Sequence, residues 1–279
     1  MQDRFYSLPA GAIRLHGLMG KALELTTENR LKKVNYRKLV DPFRFRNEKD
    51  GYWRCEFWGK IVRSAILAWH GTQDHELLRM IRETVDDMLS TQTPDGCISS
   101  YPTDKQTCGW DIWGRKYVLL ALLRYYNLIE PDKRILNACC AMLDHLMQQI
   151  PCGGKKMTQF GWHDGLAASS ILGAVCGVAE ASGEARYHEY VRWIIESGCS
   201  RKHNIFDAAR RHVPPAEIGN GKAYEMLSCF QGLSEFYLSD PREEDLDALE
   251  KMFRMVWEQE LFVTGGAGLL DSVGEYWYY

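Results

Sequence analysis

Trp110-Asp-Ile-Trp-Gly-Arg-Lys-Tyr-Val-Leu-Leu-Ala-Leu-Leu-Arg-Tyr-Tyr-Asn-Leu128, followed by Pro131-Asp132 and a run to Ile150, is the stretch that decides the fold. Its first half is apolar nearly all round. The second half carries its apolar residues on one stripe. A helix apolar on every side belongs in an interior, and a helix with one apolar stripe lies over it. The stretch therefore predicts an inner helix ending at Leu128 and an outer helix from Pro131 to Ile150.

The same pair recurs in both directions. Towards the amino terminus, Trp53-Arg-Cys-Glu56-Phe-Trp58-Gly59 opens an apolar helix through Ile61, Ala65, Ile66 and Trp69, capped at Gly71. Its partner runs from Asp74 to Leu89 and stops before the turn Thr93-Pro94-Asp95-Gly96. Towards the carboxy terminus, Gly161-Trp162-His163-Asp164-Gly165 leads into a helix over 166–181, broken at Ser182-Gly183, with a partner over 184–197. Gly219-Asn-Gly221-Lys222-Ala-Tyr224-Glu225 leads into a helix to Leu238, and Ser239-Asp240-Pro241 starts the next. Trp58, Trp113, Trp162 and Gly221 mark corresponding points, at intervals of 55, 49 and 59 residues. Repeats of this length are helix pairs stacked on one another. A further helix is expected over 11–26, and the polar, basic stretch up to Asp41-Pro42 reads as a connection. The expected fold is all-α, an (α/α)6-type toroid, with a superhelical array as the competitor. About nine helices are legible where six pairs would give twelve, so the toroid is expected to be incomplete, its carboxy-terminal part missing. No linker composition divides the chain, so residues 1–279 are expected to form one domain.

Composition excludes several functions. The formal net charge is -3, and Lys32-Lys33 and Arg210-Arg211 are isolated pairs, which does not suit nucleic acid. No stretch approaches ~18 consecutive apolar residues and no leader is recognisable, so no membrane contact and a cytoplasmic location are expected. Nine cysteines without CxxC spacing suggest free thiols. Cys139-Cys140 point about 100° apart on a helix, so no metal ligand is assigned in this chain.

If the helix pairs ring an axis, the residues before each inner helix gather at one mouth: Glu56 and Trp58, Asp111 and Trp113, His163 and Asp164, Lys222 with Tyr224 and Glu225. Each has an ordinary reading, the aspartates as helix caps, His163 as a satisfied polar group, the tryptophans as apolar staples. Four such clusters at equivalent points fit a carbohydrate cleft better. The glycine-rich return from Val263 adds Glu275 among Tyr276, Trp277, Tyr278 and Tyr279. A carboxyl group desolvated among rings can reach a pKa of ~6 and act as a glycosidase acid.

Gly51-Tyr-Trp-Arg-Cys-Glu-Phe-Trp-Gly-Lys60, Thr91-Gln-Thr-Pro-Asp-Gly96, Trp110-Asp-Ile-Trp-Gly-Arg-Lys116, Lys222-Ala-Tyr-Glu-Met-Leu-Ser228 and the segment Val263 to Trp277 together resemble glycoside hydrolase family 127. The resemblance covers nearly the whole chain in order. It implies a retaining β-L-arabinofuranosidase acting on plant-derived oligosaccharides, with Glu275 as acid/base and Trp277 beside it. It also implies zinc held by cysteines and a glutamate, one cysteine being the nucleophile. Those ligands would follow the acid/base glutamate in a full-length homologue; the chain stops at Tyr279, so zinc is expected there and not here, and little turnover is expected of this chain alone. An open ring would also expose apolar surface and favour self-association across the gap. Two other functions remain open: a non-catalytic carbohydrate-binding homologue, and a metal-free unsaturated-uronide hydrolase working through Asp111 or Asp164.

Overall fold

The computed structural model describes residues 7–48, 53–268 and 275–277. Among these residues every regular element is helical, and strand pairing is confined to the isolated bridges Cys199–Asn204, Lys222–Tyr276 and Leu261–Ala267. The chain forms two compact units. One takes residues 3–106 and 114–146; the other takes 1–2, 107–113 and 147–279.

The first unit holds α1 (Gly17–Thr26), α2 (Tyr36–Phe45), α3 (Phe57–Thr72), α4 (His75–Leu89), and most of α5 (Asp111–Leu128) and α6 (Lys133–Gln149). α3 and α4 form the expected pair, and α2 packs against both. Asp74 caps α4 by accepting from the Leu77 amide at 2.8 Å, as its sequence position suggests. α3 runs past Gly71 and ends at Gln73, whose φ of 57° makes it the left-handed cap. Gly59 lets α3 lie against α5: a Cβ there would stand 2.3 Å from the Tyr117 carbonyl oxygen.

α2 replaces the connection expected before Pro42. Asn35 accepts from the Lys38 amide at 3.1 Å and starts it, and Tyr36, Val40 and Phe43 are buried. Pro42 lies inside the helix. It removes one hydrogen bond, to the Lys38 carbonyl, and the burial of one face outweighs that loss.

The second unit holds α7 (Leu166–Ser169), α8 (Leu172–Ser182), α9 (Ala185–Glu196), α10 (Ile205–Arg210), α11 (Ala223–Tyr237) and α12 (Glu243–Met255). The helix expected over 166–181 is broken between Ser169 and Leu172, and α10 is a short helix that the sequence pattern does not announce. The stretch His163–Ser182 is apolar and long enough to cross a membrane, yet 72% of its most apolar window is buried, the mark of a core helix. α8 packs against α9 and α11. Gly173 and Gly232 meet at the α8–α11 crossing, where a Cβ on Gly232 would stand 2.6 Å from the Gly173 nitrogen. α12 begins at Glu243 rather than at the Ser239-Asp240 signal, because the Asp240 carboxylate is taken by Arg192.

Candidate functional site

The second unit brings four of the expected mouth residues together in one place. Trp113, in the first turn of α5, meets Trp110 edge-on at 5.6 Å between ring centroids and Tyr224 at 5.4 Å. Trp110 lies 5.3 Å from the His163 ring. His163 Nδ1 faces the Asn220 amide at 3.4 Å, and His163 Nε2 stands 4.0 Å from the buried Glu225 carboxylate. The residues so gathered are Trp113, His163, Tyr224 and Glu225 from the sequence reading, with Trp110 and Asn220 in addition.

A strained turn holds His163 in place. His163 and Asp164 adopt φ of 54° and 59°, unfavourable for side chains with a Cβ, and Gly165 follows at 89°. Only glycine fits at 165, where a Cβ would come within 2.2 Å of the Thr158 carbonyl oxygen. Asp164 stabilises the turn: its carboxylate accepts from Ser200 Oγ at 2.6 Å, the Lys202 amide at 2.9 Å and Arg201 Nε at 3.2 Å. Burial alone would raise its pKa, but the bonds from Ser200, Lys202 and Arg201 together lower it below the usual carboxylate range. His163 shifts the other way for its type. Loss of water, then the charge of Lys222, push its pKa down to about 4, against a smaller opposing pull from Glu275. The ring is therefore neutral at pH 7, with one nitrogen to donate and one to accept.

Glu275 arrives on a short antiparallel bridge. The Ala223 amide donates to the Glu275 carbonyl at 2.8 Å and the Trp277 amide donates to the Gly221 carbonyl at 3.1 Å. This fixes Glu275 beside the start of α11. There its carboxylate accepts from the Lys222 ammonium, which also lies 4.8 Å from the Tyr276 ring centroid. The side chain of Lys222 is 4% exposed and that of Glu275 is 43% exposed. The ring cage expected to desolvate Glu275 is thus not what the described residues form; an ion pair with Lys222 takes its place. Gly274, Tyr278 and Tyr279 lie outside the described residues.

Several expected contacts with substrate are corrected. Trp58 is wholly buried in the first unit and donates from Nε1 to Thr84 Oγ1 at 2.9 Å, so it is a core residue. Glu56, in the same unit, pairs with Lys60 at 2.9 Å one helical turn away. Asp111 is buried and closes the turn before α5, accepting from the Thr107 amide at 2.7 Å. Asp164 is committed to the 200–202 loop. With both aspartates so engaged, neither has the open carboxylate that metal-free uronide hydration needs. Trp113 and Trp277 are buried, so they support the wall rather than offer open faces. Trp110, half-buried, packs against His163, and its position one residue before Asp111 is the sequence signal that marks it.

The fold is shared with glycoside hydrolases of known structure. It matches a GH127 β-L-arabinofuranosidase from Geobacillus stearothermophilus T6 with a TM-score of 0.66 at 14% identity, covering 94% of this chain and 46% of that one. A GH127 β-arabinofuranosidase matches with a TM-score of 0.60 at 12% identity, over 91% of this chain and 42% of that one. A third structure, described as a glycoside hydrolase, gives 0.60 at 13%, over 92% and 38%. The all-α toroid class expected from the sequence is the class of these structures. The chain spans less than half of their length. Its residues 16–278 match the family model of the β-L-arabinofuranosidase GH127 catalytic domain, and the chain belongs to that family. No sequence among the curated proteins matches it.

The zinc that the family resemblance implies does not fit the residues described. Among them no three His, Cys, Asp or Glu side chains converge as metal ligands. None of the nine cysteines is in a disulfide, and burial pushes the Cys139 thiol far above its usual range, away from the thiolate that zinc requires.

Proposed function

We propose that the protein is a retaining glycoside hydrolase acting on β-L-arabinofuranosyl residues of plant-derived oligosaccharides, with Glu275 as its acid/base. The observation that carries this reading is the bridge that fixes the Glu275 carboxylate, partly open to solvent, against Lys222 at the start of α11. A retaining reaction asks one carboxyl group to protonate the leaving oxygen and later to take a proton from water. Glu275 is suited to both by its access to solvent and its fixed backbone. Neutral His163 offers a donor and an acceptor to sugar hydroxyl groups, and Trp110 and Tyr224 supply ring surface for the sugar C–H face. The second catalytic group lies outside the described residues in this reading, and no step is routed through zinc.

The test is hydrolysis of β-L-arabinofuranosides by the whole gene product and its Glu275→Gln variant. Loss of the acid should lower turnover ~10²- to 10⁴-fold for an alkyl leaving group, and much less for a nitrophenyl group that needs no proton. Equal turnover by the variant on both substrates would sink the assignment. The Glu275–Lys222 pair also favours a second reading, a carbohydrate-binding homologue without turnover, because the Lys222 ammonium already occupies a carboxylate oxygen that a leaving group would have to meet. Arabinoside binding by calorimetry with no hydrolysis by the whole gene product would select it.

A further inference from the structure

A groove of about 570 Å³ runs along the second unit between α9 and the α11–α12 turn, and it shares no residue with the Glu275 site. One aromatic face, that of Trp193, is open in it, and the buried Phe236 lies further along. Trp193 lines it, backed by the buried ring of Tyr190, which lies nearly parallel at 5.2 Å and 19°. Phe236 lines it further along, with the Arg192 guanidinium 4.8 Å from its ring centroid. The lining mixes both signs of charge: Glu189, Glu196 and Asp240 with Arg192 and Arg242. Arg192 donates to Asp240 and to Asp245, the latter at 2.8 Å, while Arg242 stands 3.5 Å from Asp240 and 3.9 Å from Glu196.

We infer that this groove is a second carbohydrate site, taking a neutral oligosaccharide laid across Trp193. An aromatic face held rigid from behind suits the apolar face of a sugar ring, and planar carboxylate and guanidinium groups at its edge suit hydroxyl groups. The mixed charges argue against an ionic ligand: an anion would meet Glu189, Glu196 and Asp240, and a cation would meet Arg192 and Arg242. The volume lies within the range of small-ligand sites. Two other cavities lack this combination. One, of about 550 Å³, is edged by the Arg44–Asp87 ion pair with its one ring, Tyr36, buried; another, of about 360 Å³ around Arg14 and Asp74, has no Phe, Tyr or Trp. A site of this kind would anchor a polymer while its ends are processed elsewhere on the protein.

Native affinity electrophoresis tests the inference, with the gel containing a neutral arabinan, a neutral β-glucan or polygalacturonate. The arabinan follows from the proposed function; the glucan does not, so it separates failure of the groove from failure of that reading. Retardation by a neutral glycan should persist in Glu275→Gln and weaken at least tenfold in Trp193→Ala and in Glu196→Gln, with helical circular dichroism unchanged. Glu196, a solvent-facing side chain, keeps the test usable if Trp193→Ala fails to fold. Retardation by glucan alone supports the groove and tells against arabinose as its sugar. Unchanged retardation in both groove variants, preference for polygalacturonate, or no retardation in any gel overturns the inference.

Discussion

Lys222 and Glu275 stand 53 residues apart in sequence, and no local pattern links them. The glycine-rich return made Glu275 legible as a candidate, but not its partner, because an ion pair across a chain reversal leaves no periodic trace. Trp58 departs from its expected place for a related reason: in sequence, a tryptophan opening an inner helix is the same whether its face is open or closed. His163 gives a prediction at this scale. Its folded pKa of about 4 lies below the 6.5 of an unperturbed imidazole, so between those values the unfolded chain binds a proton that the folded one refuses. The stability tied to neutral His163 is complete above pH 6.5 and is lost as pH falls towards 4, by roughly 3 kcal/mol in all. Urea unfolding at pH 7 and pH 4.5 should show a smaller difference in His163→Gln than in the parent, and an imidazole titrating near 6.5 in NMR would refute the assignment. Asp164→Ala should cost about 2 kcal/mol by freeing the 200–202 loop and leaving the left-handed turn unsupported. Calorimetry would read this as a lower Tm, and a Tm equal to the parent's would show that the turn is held by other contacts.

Between residues and the whole lie the helices, and here the sequence was most readable. The alternation of apolar and amphipathic segments located α3 to α6, α8, α9 and α11 to within a few residues, because burial on one side or all sides leaves a direct imprint on the period. The misses have physical causes. α2 hides behind Pro42 and a run of exposed basic residues, while its buried face needs only Tyr36, Val40 and Phe43. α10 is six residues long, too short for any period to show. The break between α7 and α8 falls in a uniformly apolar stretch, where hydrophobicity carries no information about the backbone. What holds the pairs together is partly an absence of side chain. Gly59→Ala and Gly232→Ala should each destabilise by about 1–3 kcal/mol, since each places a methyl group against backbone. Gly266→Ala, with only Thr264 Oγ1 at 3.8 Å, is the control and should stay within about 0.5 kcal/mol. Denaturant curves that rank the three otherwise would show that the crossings can relax.

At the scale of the molecule, each unit carries a helix whose outer face is unusually apolar. In one it is α1, with Leu18 86% and Met19 68% exposed; in the other it is α12 and the turn after it, with Phe253 68% and Trp257 63% exposed and their rings stacked. Such surface drives association in water. The purified 279-residue chain should therefore show a scattering mass that rises with concentration, and Phe253→Glu with Trp257→Glu should lower it. A monodisperse monomer at high concentration would count against this. The alternation of helix types that suggested a toroid ran through the whole chain, which is why the fold class was legible early. The bridge between Lys222 and Tyr276 has a further consequence in time. A ribosome delivers a protein from its amino end, so Trp110, Trp113, His163 and Lys222 can take up their places while Glu275 is still unmade. A nascent or clipped molecule halted in the exposed turn at Val263 would hold those rings without the carboxylate, and under the proposed function it would be expected to bind a sugar without hydrolysing it.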